Sequence, residues 1–152
     1  MNGLIFLLSM APGIGLGFSV PSGETGDISR IGYWAEASLA HGFFSGRLLA
    51  ENFRSRGEGF YNATSLCLTG GVSFSPVSIF NFGFSLGPAL LFRTHSDASE
   101  WGPGFVSEAN ASLLYTGEKA RVGLIGFTRA YPGTSSALLS FGIGVVAGAV
   151  PR

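Results

Sequence analysis

The chain has 152 residues and no net formal charge; 12% of its residues are charged and 46% are hydrophobic. This length corresponds to one domain, and the lack of a basic surface excludes a nucleic-acid-binding function. The lone Cys67 excludes an internal disulfide and a cysteine-based zinc cluster, so we predict neither a metal nor a cofactor. No apolar run reaches the roughly 20 residues that a membrane-spanning helix needs.

Eight segments show a period of two, in which apolar side chains alternate with small or polar ones, as in β-strands. In chain order they cover residues 13–20, 30–43, 47–53, 63–74, 77–93, 104–115, 120–130 and 137–149. Segment 77–93 shows the pattern most clearly. One of its faces carries Phe80, Phe82, Phe84, Leu86, Pro88, Leu90 and Phe92. The other carries Ile79, Asn81, Gly83, Ser85, Gly87, Ala89, Leu91 and Arg93.

The faces of these strands indicate their surroundings. In a soluble barrel, such as a lipocalin-like one, the face opposite the apolar residues would meet water and carry charge. Here that face is mostly Gly, Ser, Ala and Asn, so we expect bulky residues to meet lipid and small residues to fill a narrow lumen. A sheet in lipid must close on itself, because open edges cannot be satisfied in hydrocarbon. The predicted fold is therefore an all-β, eight-stranded antiparallel up-and-down transmembrane β-barrel.

Short and long connections alternate between the predicted strands. The short turns lie at residues 45–46, around Pro76 and at residues 117–118, and the four other connections are longer and polar. The first turn predicts that Ala40 lies opposite Glu51, with both side chains in the lumen. The last turn predicts that Leu113 lies opposite Val122, with both side chains facing lipid.

Aromatic residues are expected to form belts at the two membrane boundaries. The belt at the long-loop end would contain Tyr33, Tyr61 and Tyr131, with Trp101 inside the third long loop. The belt at the short-turn end would contain Phe43, Phe74 and Tyr115.

This pattern of strands and connections resembles the small eight-stranded bacterial outer-membrane family that includes OmpX and the OmpA transmembrane domain. The resemblance lies in strand count and loop alternation, and it implies short periplasmic turns and an integral outer-membrane location. Residues 12–152 would form the single barrel domain. Residues 1–11 would be a signal-peptide remnant or an N-terminal extension, because their apolar run lacks preceding basic residues.

Charged residues on the inner faces predict an ionic network that fills the lumen, because buried charges need partners. Its expected members are Glu36, Glu51, Glu108, Arg93, Arg121 and Arg129. Arg47 is expected nearer the short-turn end. A gated pore or a catalytic cluster is the functional alternative to a structural plug.

Two further sets of residues are candidate sites. If the chain is a lipid A-modifying enzyme of the deacylase type, the catalytic residues would be His95, Ser99 and Glu108. Adjacent His95 and Ser96 would point to opposite faces of a strand, which does not match the His-x-Ser spacing of that type. Arg54 and Arg56, at the long-loop rim, are candidate contacts for the phosphates of lipopolysaccharide.

We therefore expect a non-enzymatic outer-membrane barrel with a packed polar lumen. Its role would be envelope integrity, surface interaction, or docking of a protein partner through the long loops. Its other partners would be outer-membrane lipid and lipopolysaccharide. The alternatives are a lipid A-modifying enzyme and a small pore or transporter.

Overall fold

A computed structural model describes residues 10–22, 29–55, 62–94, 99–132 and 138–150. They form eight β-strands: β1 Ala11–Ser22, β2 Ser29–His41, β3 Phe44–Ser55, β4 Asn62–Val77, β5 Phe80–Thr94, β6 Ser99–Thr116, β7 Ala120–Tyr131 and β8 Leu138–Ala149. Within these ranges there is no helix long and apolar enough to cross a membrane.

Each strand pairs antiparallel with the next, and β8 pairs with β1, so the sheet closes into an eight-stranded barrel. The predicted fold class is confirmed. Residues 42–43, 78–79 and 117–119 connect strands at one end, and residues 23–28, 56–61, 95–98 and 132–137 connect them at the other. Three of the four connections at the second end are shorter than predicted, because the strands extend into the polar segments, whereas the connection between β7 and β8 has the predicted six residues. Trp101, predicted to lie in a loop, is part of β6.

Exposure alternates along most of each strand and confirms the predicted faces, although residues 74–77 of β4 and 99–101 of β6 are all exposed. On β1 the side chains of Ile14, Leu16, Phe18 and Val20 are exposed, whereas Ser19 is buried. On β5 every second side chain from Phe80 to Phe92 faces outward, whereas Ser85, Ala89 and Leu91 are buried. The start of this strand was predicted three residues too early, because residues 78–79 form the turn. Ile79 therefore lies in that turn and is exposed rather than facing the lumen.

The register predicted for the first hairpin is wrong. The turn lies at residues 42–43 rather than 45–46, so Ala40 pairs with Ser45 and Glu51 pairs with Trp34. Gly42 has a φ of 58°, a backbone conformation that suits the first central position of a type II′ turn and that glycine adopts without strain. The slip covers an even number of residues, so Glu51 still points into the lumen as predicted.

The register predicted for the β6–β7 hairpin is also wrong, by two residues. The backbone N–H of Gly117 donates to the carbonyl of Ala120 at 2.8 Å, so the turn is centred on residues 118–119. Leu113 therefore pairs with Leu124 rather than with Val122. All three side chains face outward, as predicted.

Buried side chains fill the barrel interior and form one cluster. Its hydrophobic members are Trp34, Leu49, Phe53, Ala63, Cys67, Ala89, Leu91, Val106, Ile125, Phe127 and Tyr131. At the β1–β8 seam the backbones approach closely, since a Cβ added to Gly144 would lie 2.3 Å from the carbonyl oxygen of Leu16. Glycine is therefore required there, which explains one of the glycines on the lumen side.

Candidate functional site

Arg129 lies at the centre of a buried ionic cluster inside the barrel. β7 directs its side chain into the lumen, where it is completely buried. Its Nε donates to Oε2 of Glu108 at 2.5 Å, and its Nη1 lies 3.5 Å from Oε1 of Glu51. The guanidinium also lies over the ring of Phe127, with 3.6 Å from Cζ to the ring centroid, and near the ring of Trp34. One cation therefore joins two carboxylates to two aromatic rings.

Arg47 extends the cluster to a third carboxylate. Its Nη1 donates to Oε1 of Glu108 at 2.6 Å and to Oε2 of Glu36 at 3.3 Å, and its Nη2 donates to Oγ of Ser85. Asn110 donates to the same Oε1 of Glu108 at 2.7 Å. Both oxygens of Glu108 are thus bound by arginine, so this carboxylate bridges Arg47 and Arg129.

Tyr131 binds the carboxylate of Glu51 on the long-loop side of the cluster. Its hydroxyl donates to Oε2 of Glu51, and Ser140 donates to the same oxygen at 3.4 Å. The hydroxyl of Tyr131 also lies 3.1 Å from Oγ of Ser65. Tyr131 was predicted to belong to the outer aromatic belt, and that prediction is wrong. It shares the inner face of β7 with Arg129 and is completely buried.

We call Glu36, Arg47, Glu51, Glu108, Arg129 and Tyr131 together the lumen plug. It contains two guanidinium groups and three carboxylates, each carboxylate with an arginine within 4 Å. Paired charges of this kind are tolerated away from water only while their partners remain in place. The plug and the aromatic rings beside it fill the lumen at this level.

Not every residue predicted for this network belongs to it. Glu36, Glu51, Glu108 and Arg129 meet as described, with Arg47 in addition. Arg93 and Arg121 take no part in the four ion pairs among the described residues. Arg93 lies near the long-loop end, opposite Glu100 on β6, and Arg121 lies near the short-turn end, opposite Thr116. Trp34 was not singled out from the sequence, although it shares the inner face of β2 with Glu36.

Between the plug and the short turns, the lumen contains a cavity of about 340 Å³. Its lining includes Glu36 and Arg47 on the plug side and Gly42 and Phe43 at the turn side. Arg121 lines it as well. The described part of the interior is therefore divided into a filled region and an open polar region, which we call the vestibule.

The geometry separates two members of the candidate catalytic triad. Ser99 is exposed at the start of β6, where its hydroxyl lies 3.5 Å from Oγ1 of Thr94. Glu108 lies nine positions further along the same strand, about 30 Å away at the usual rise of a strand, and is bound in the plug. His95 lies outside the described residues. Within the described residues, no cluster of His, Cys, Asp and Glu side chains is arranged to hold a metal ion.

One of the two arginines predicted to contact lipid phosphates can be placed. Arg54 is exposed near the long-loop end of β3, on the outward face. Arg56 lies outside the described residues. Below Arg54, Asn52 also faces outward, and its amide donates to Oδ1 of Asn62 at 2.6 Å and to Oγ1 of Thr64 at 2.7 Å. The outer wall is therefore polar at this level.

No known protein family and no curated protein matches the sequence. Several solved structures have a fold similar to that of this chain. The crystal structure of Neisserial surface protein A has a TM-score of 0.64 and 7% identity, with 91% of this chain and 96% of that chain covered.

The N-terminal β-barrel domain of Pseudomonas aeruginosa OprF has a TM-score of 0.63 and 14% identity, with 91% and 96% covered. The attachment invasion locus protein Ail of Yersinia pestis, in complex with the heparin analogue sucrose octasulfate, has a TM-score of 0.61 and 11% identity, with 92% and 97% covered. Identities this low establish the fold alone. The chain has the fold of the small eight-stranded outer-membrane β-barrels.

Proposed function

We propose that this chain is an integral protein of the bacterial outer membrane with a closed lumen and a non-enzymatic role in the cell envelope. The observation that carries the proposal is the inverted distribution of side chains. Large apolar residues are exposed on the outer wall of all eight strands, whereas Glu51, Glu108 and Arg129 are buried inside. Water would disfavour such an outer wall, and a bilayer would stabilise it.

The lumen plug supports a structural role over a pore. A conducting path needs a continuous open channel lined by polar groups. At the level of Arg129, paired charges and aromatic rings occupy the lumen. The separation of Ser99 from Glu108 argues against the triad considered for lipid A modification. The remaining roles are envelope integrity, surface interaction and docking of a partner at the long-loop end.

The first test is the migration of detergent-folded protein on an SDS gel, with and without boiling. A closed barrel should resist SDS until it is heated and should then shift. Protein that shows no shift and stays soluble and monodisperse without detergent would overturn the membrane assignment. Planar-bilayer conductance and lipid A mass spectrometry then test the closed lumen and the absence of enzymatic activity. Steady conductance or a mass change that depends on the protein would contradict them.

The proposed lipid contact at Arg54 and Arg56 has a matched control within the chain. Lys119 carries the same charge at the opposite end of the barrel. The variants R54Q and R56Q should each retain less lipopolysaccharide after purification in mild detergent, because each lacks one cation for the lipid phosphates. K119Q, which also removes one cation, should retain the wild-type amount. Equal losses in all three variants would show a general charge effect and refute a contact at the long-loop rim.

A further inference from the structure

The vestibule has features of a binding site that the envelope role does not use. Its volume of about 340 Å³ lies within the range of small-molecule pockets, roughly 300–1,000 Å³. Hydroxyl and amide side chains line its wall, among them Ser45, Asn81 and Asn110. These groups supply hydrogen bonds without charge. A polar ligand of modest size would therefore find donors on several strands.

The charges in the vestibule favour an anion. Its described lining contains two guanidinium groups, Arg47 and Arg121, and one carboxylate, Glu36. That carboxylate is already bound by Arg47 at 3.3 Å. Arg121 forms no ion pair with any described residue, so its positive charge is not balanced within the vestibule.

Arg47 provides a second, independent observation. It is more than nine-tenths buried, and its Nε has no hydrogen-bond partner among the described residues. A buried donor without an acceptor costs free energy, which a bound acceptor would recover. This donor belongs to a residue that lines the vestibule.

The surroundings of the vestibule limit how a ligand can enter. The lumen plug fills the barrel on the long-loop side, and the continuous sheet separates the vestibule from the outer wall. The closed sheet therefore separates Arg121 from a lipid headgroup that lies on the outer wall. The short-turn end remains, where the lining residues Gly42 and Phe43 form the β2–β3 turn.

We propose that the vestibule binds a small soluble oxyanion, a phosphate or a carboxylate, which enters from the short-turn end. Arg121 is its main cationic contact and Arg47 lies on the plug side. The neutral donors complete the site. This inference goes beyond the envelope role, and the barrel assignment does not depend on it.

The test is an NMR titration of the full chain, labelled with ¹⁵N and folded in detergent. Inorganic phosphate, acetate, sodium chloride at matched ionic strength, and glucose are added separately. Saturable shifts of the Arg121 Nε and of the Ser45 and Asn81 amides are expected with phosphate or acetate, and the stronger of the two identifies the anion. No saturable shift with either anion, or equal shifts with chloride or glucose, would overturn the proposal.

Three variants assign the effect to the vestibule. R121Q should weaken anion binding about tenfold or more, because it loses a charge-assisted hydrogen bond. R54Q, which removes an arginine from the outer wall, should bind as the wild type does. S45F keeps both vestibule arginines but narrows the cavity, and it should abolish binding. If the barrel still shows its heat-dependent gel shift but R121Q binds the anion normally, the anion site is refuted and the barrel assignment stands.

Discussion

Replacing Arg129 by methionine should destabilise the barrel strongly, because this side chain joins two buried carboxylates. Methionine keeps much of the side-chain volume against Phe127 but removes the partner of Glu51 and Glu108. Removing one member of a buried ion pair typically costs about 3–5 kcal/mol. Glu108 retains Arg47 and Asn110, and Glu51 retains Tyr131, so we expect R129M to lie in that range rather than above it.

A double-mutant cycle separates the ion pair from loss of packing. E108Q alone leaves Arg129 paired with Glu51, and the double variant R129M/E108Q removes the charge that would otherwise stay buried. The double variant should therefore be about 1–3 kcal/mol less destabilised than the sum of the single variants. Reversible urea unfolding in detergent, followed by Trp34 fluorescence in a W101F background, measures each free energy of unfolding.

A matched control comes from the outer wall. Arg54 is exposed, so R54M should change the free energy of unfolding by no more than about 0.5 kcal/mol. If R129M also costs less than about 1 kcal/mol, or if the two single variants add without coupling, the plug does not stabilise the barrel through these charges.

Further predictions concern the wall, the β1–β8 seam and the turns. Urea unfolding measures the Leu16 variants in lipid bilayers and the Gly42 variant in detergent, and the heat-dependent gel shift compares the glycine variants of the wall. Leu16 faces outward near the middle of β1, so L16R should lower the free energy of unfolding in a bilayer by about 2–4 kcal/mol, and L16M should leave it nearly unchanged. A variant L16R as stable as the wild type would contradict a lipid-facing wall. G144V should prevent close pairing of β8 with the backbone at Leu16 and abolish the heat-dependent gel shift, whereas G70V, with open space around its Cβ, should fold normally. G42V should lower the free energy of unfolding by about 1–3 kcal/mol, because valine is strained at a φ of 58°. An unchanged free energy of unfolding would show that the turn rearranges.

The direction of each side chain could be predicted from the sequence, but strand register could not. Alternation distinguishes odd from even positions, so a slip by an even number of residues leaves every predicted face unchanged. The slips in the β2–β3 and β6–β7 hairpins were both of this kind. Glu51 was therefore assigned to the lumen correctly, although its predicted partner Ala40 was wrong.

The same slip explains why the site was predicted only in part. With the predicted turn at residues 45–46, Arg47 would lie beside the turn, far from the other charges. In the structure it pairs with Ser38, so it reaches both Glu36 and Glu108. Contacts across the lumen also depend on the stagger of all eight strands around the closed barrel, which local periodicity does not contain.

Tyr131 was missed for a different reason. Tyr131 shares the parity of Arg129, which would place it in the lumen, but its aromatic type and its position just past the predicted end of the strand suggested a membrane boundary instead. A tyrosine can be buried where its hydroxyl finds a partner, and Glu51 provides that partner. The alternation of side chains along β7 therefore indicates the position of Tyr131 correctly, whereas its residue type does not.

The β1–β8 seam has a consequence for the order of folding. Seven of the eight strand pairs join neighbours in sequence and can form as local hairpins, whereas Gly13 pairs with Gly148 at the other end of the described chain. Bringing such distant segments together carries the largest loop-closure entropy, so this pairing should form late and limit the folding rate. Until then β1 and β8 expose unpaired backbone edges, and these are the surfaces that other chains, or an assembly factor, would meet first.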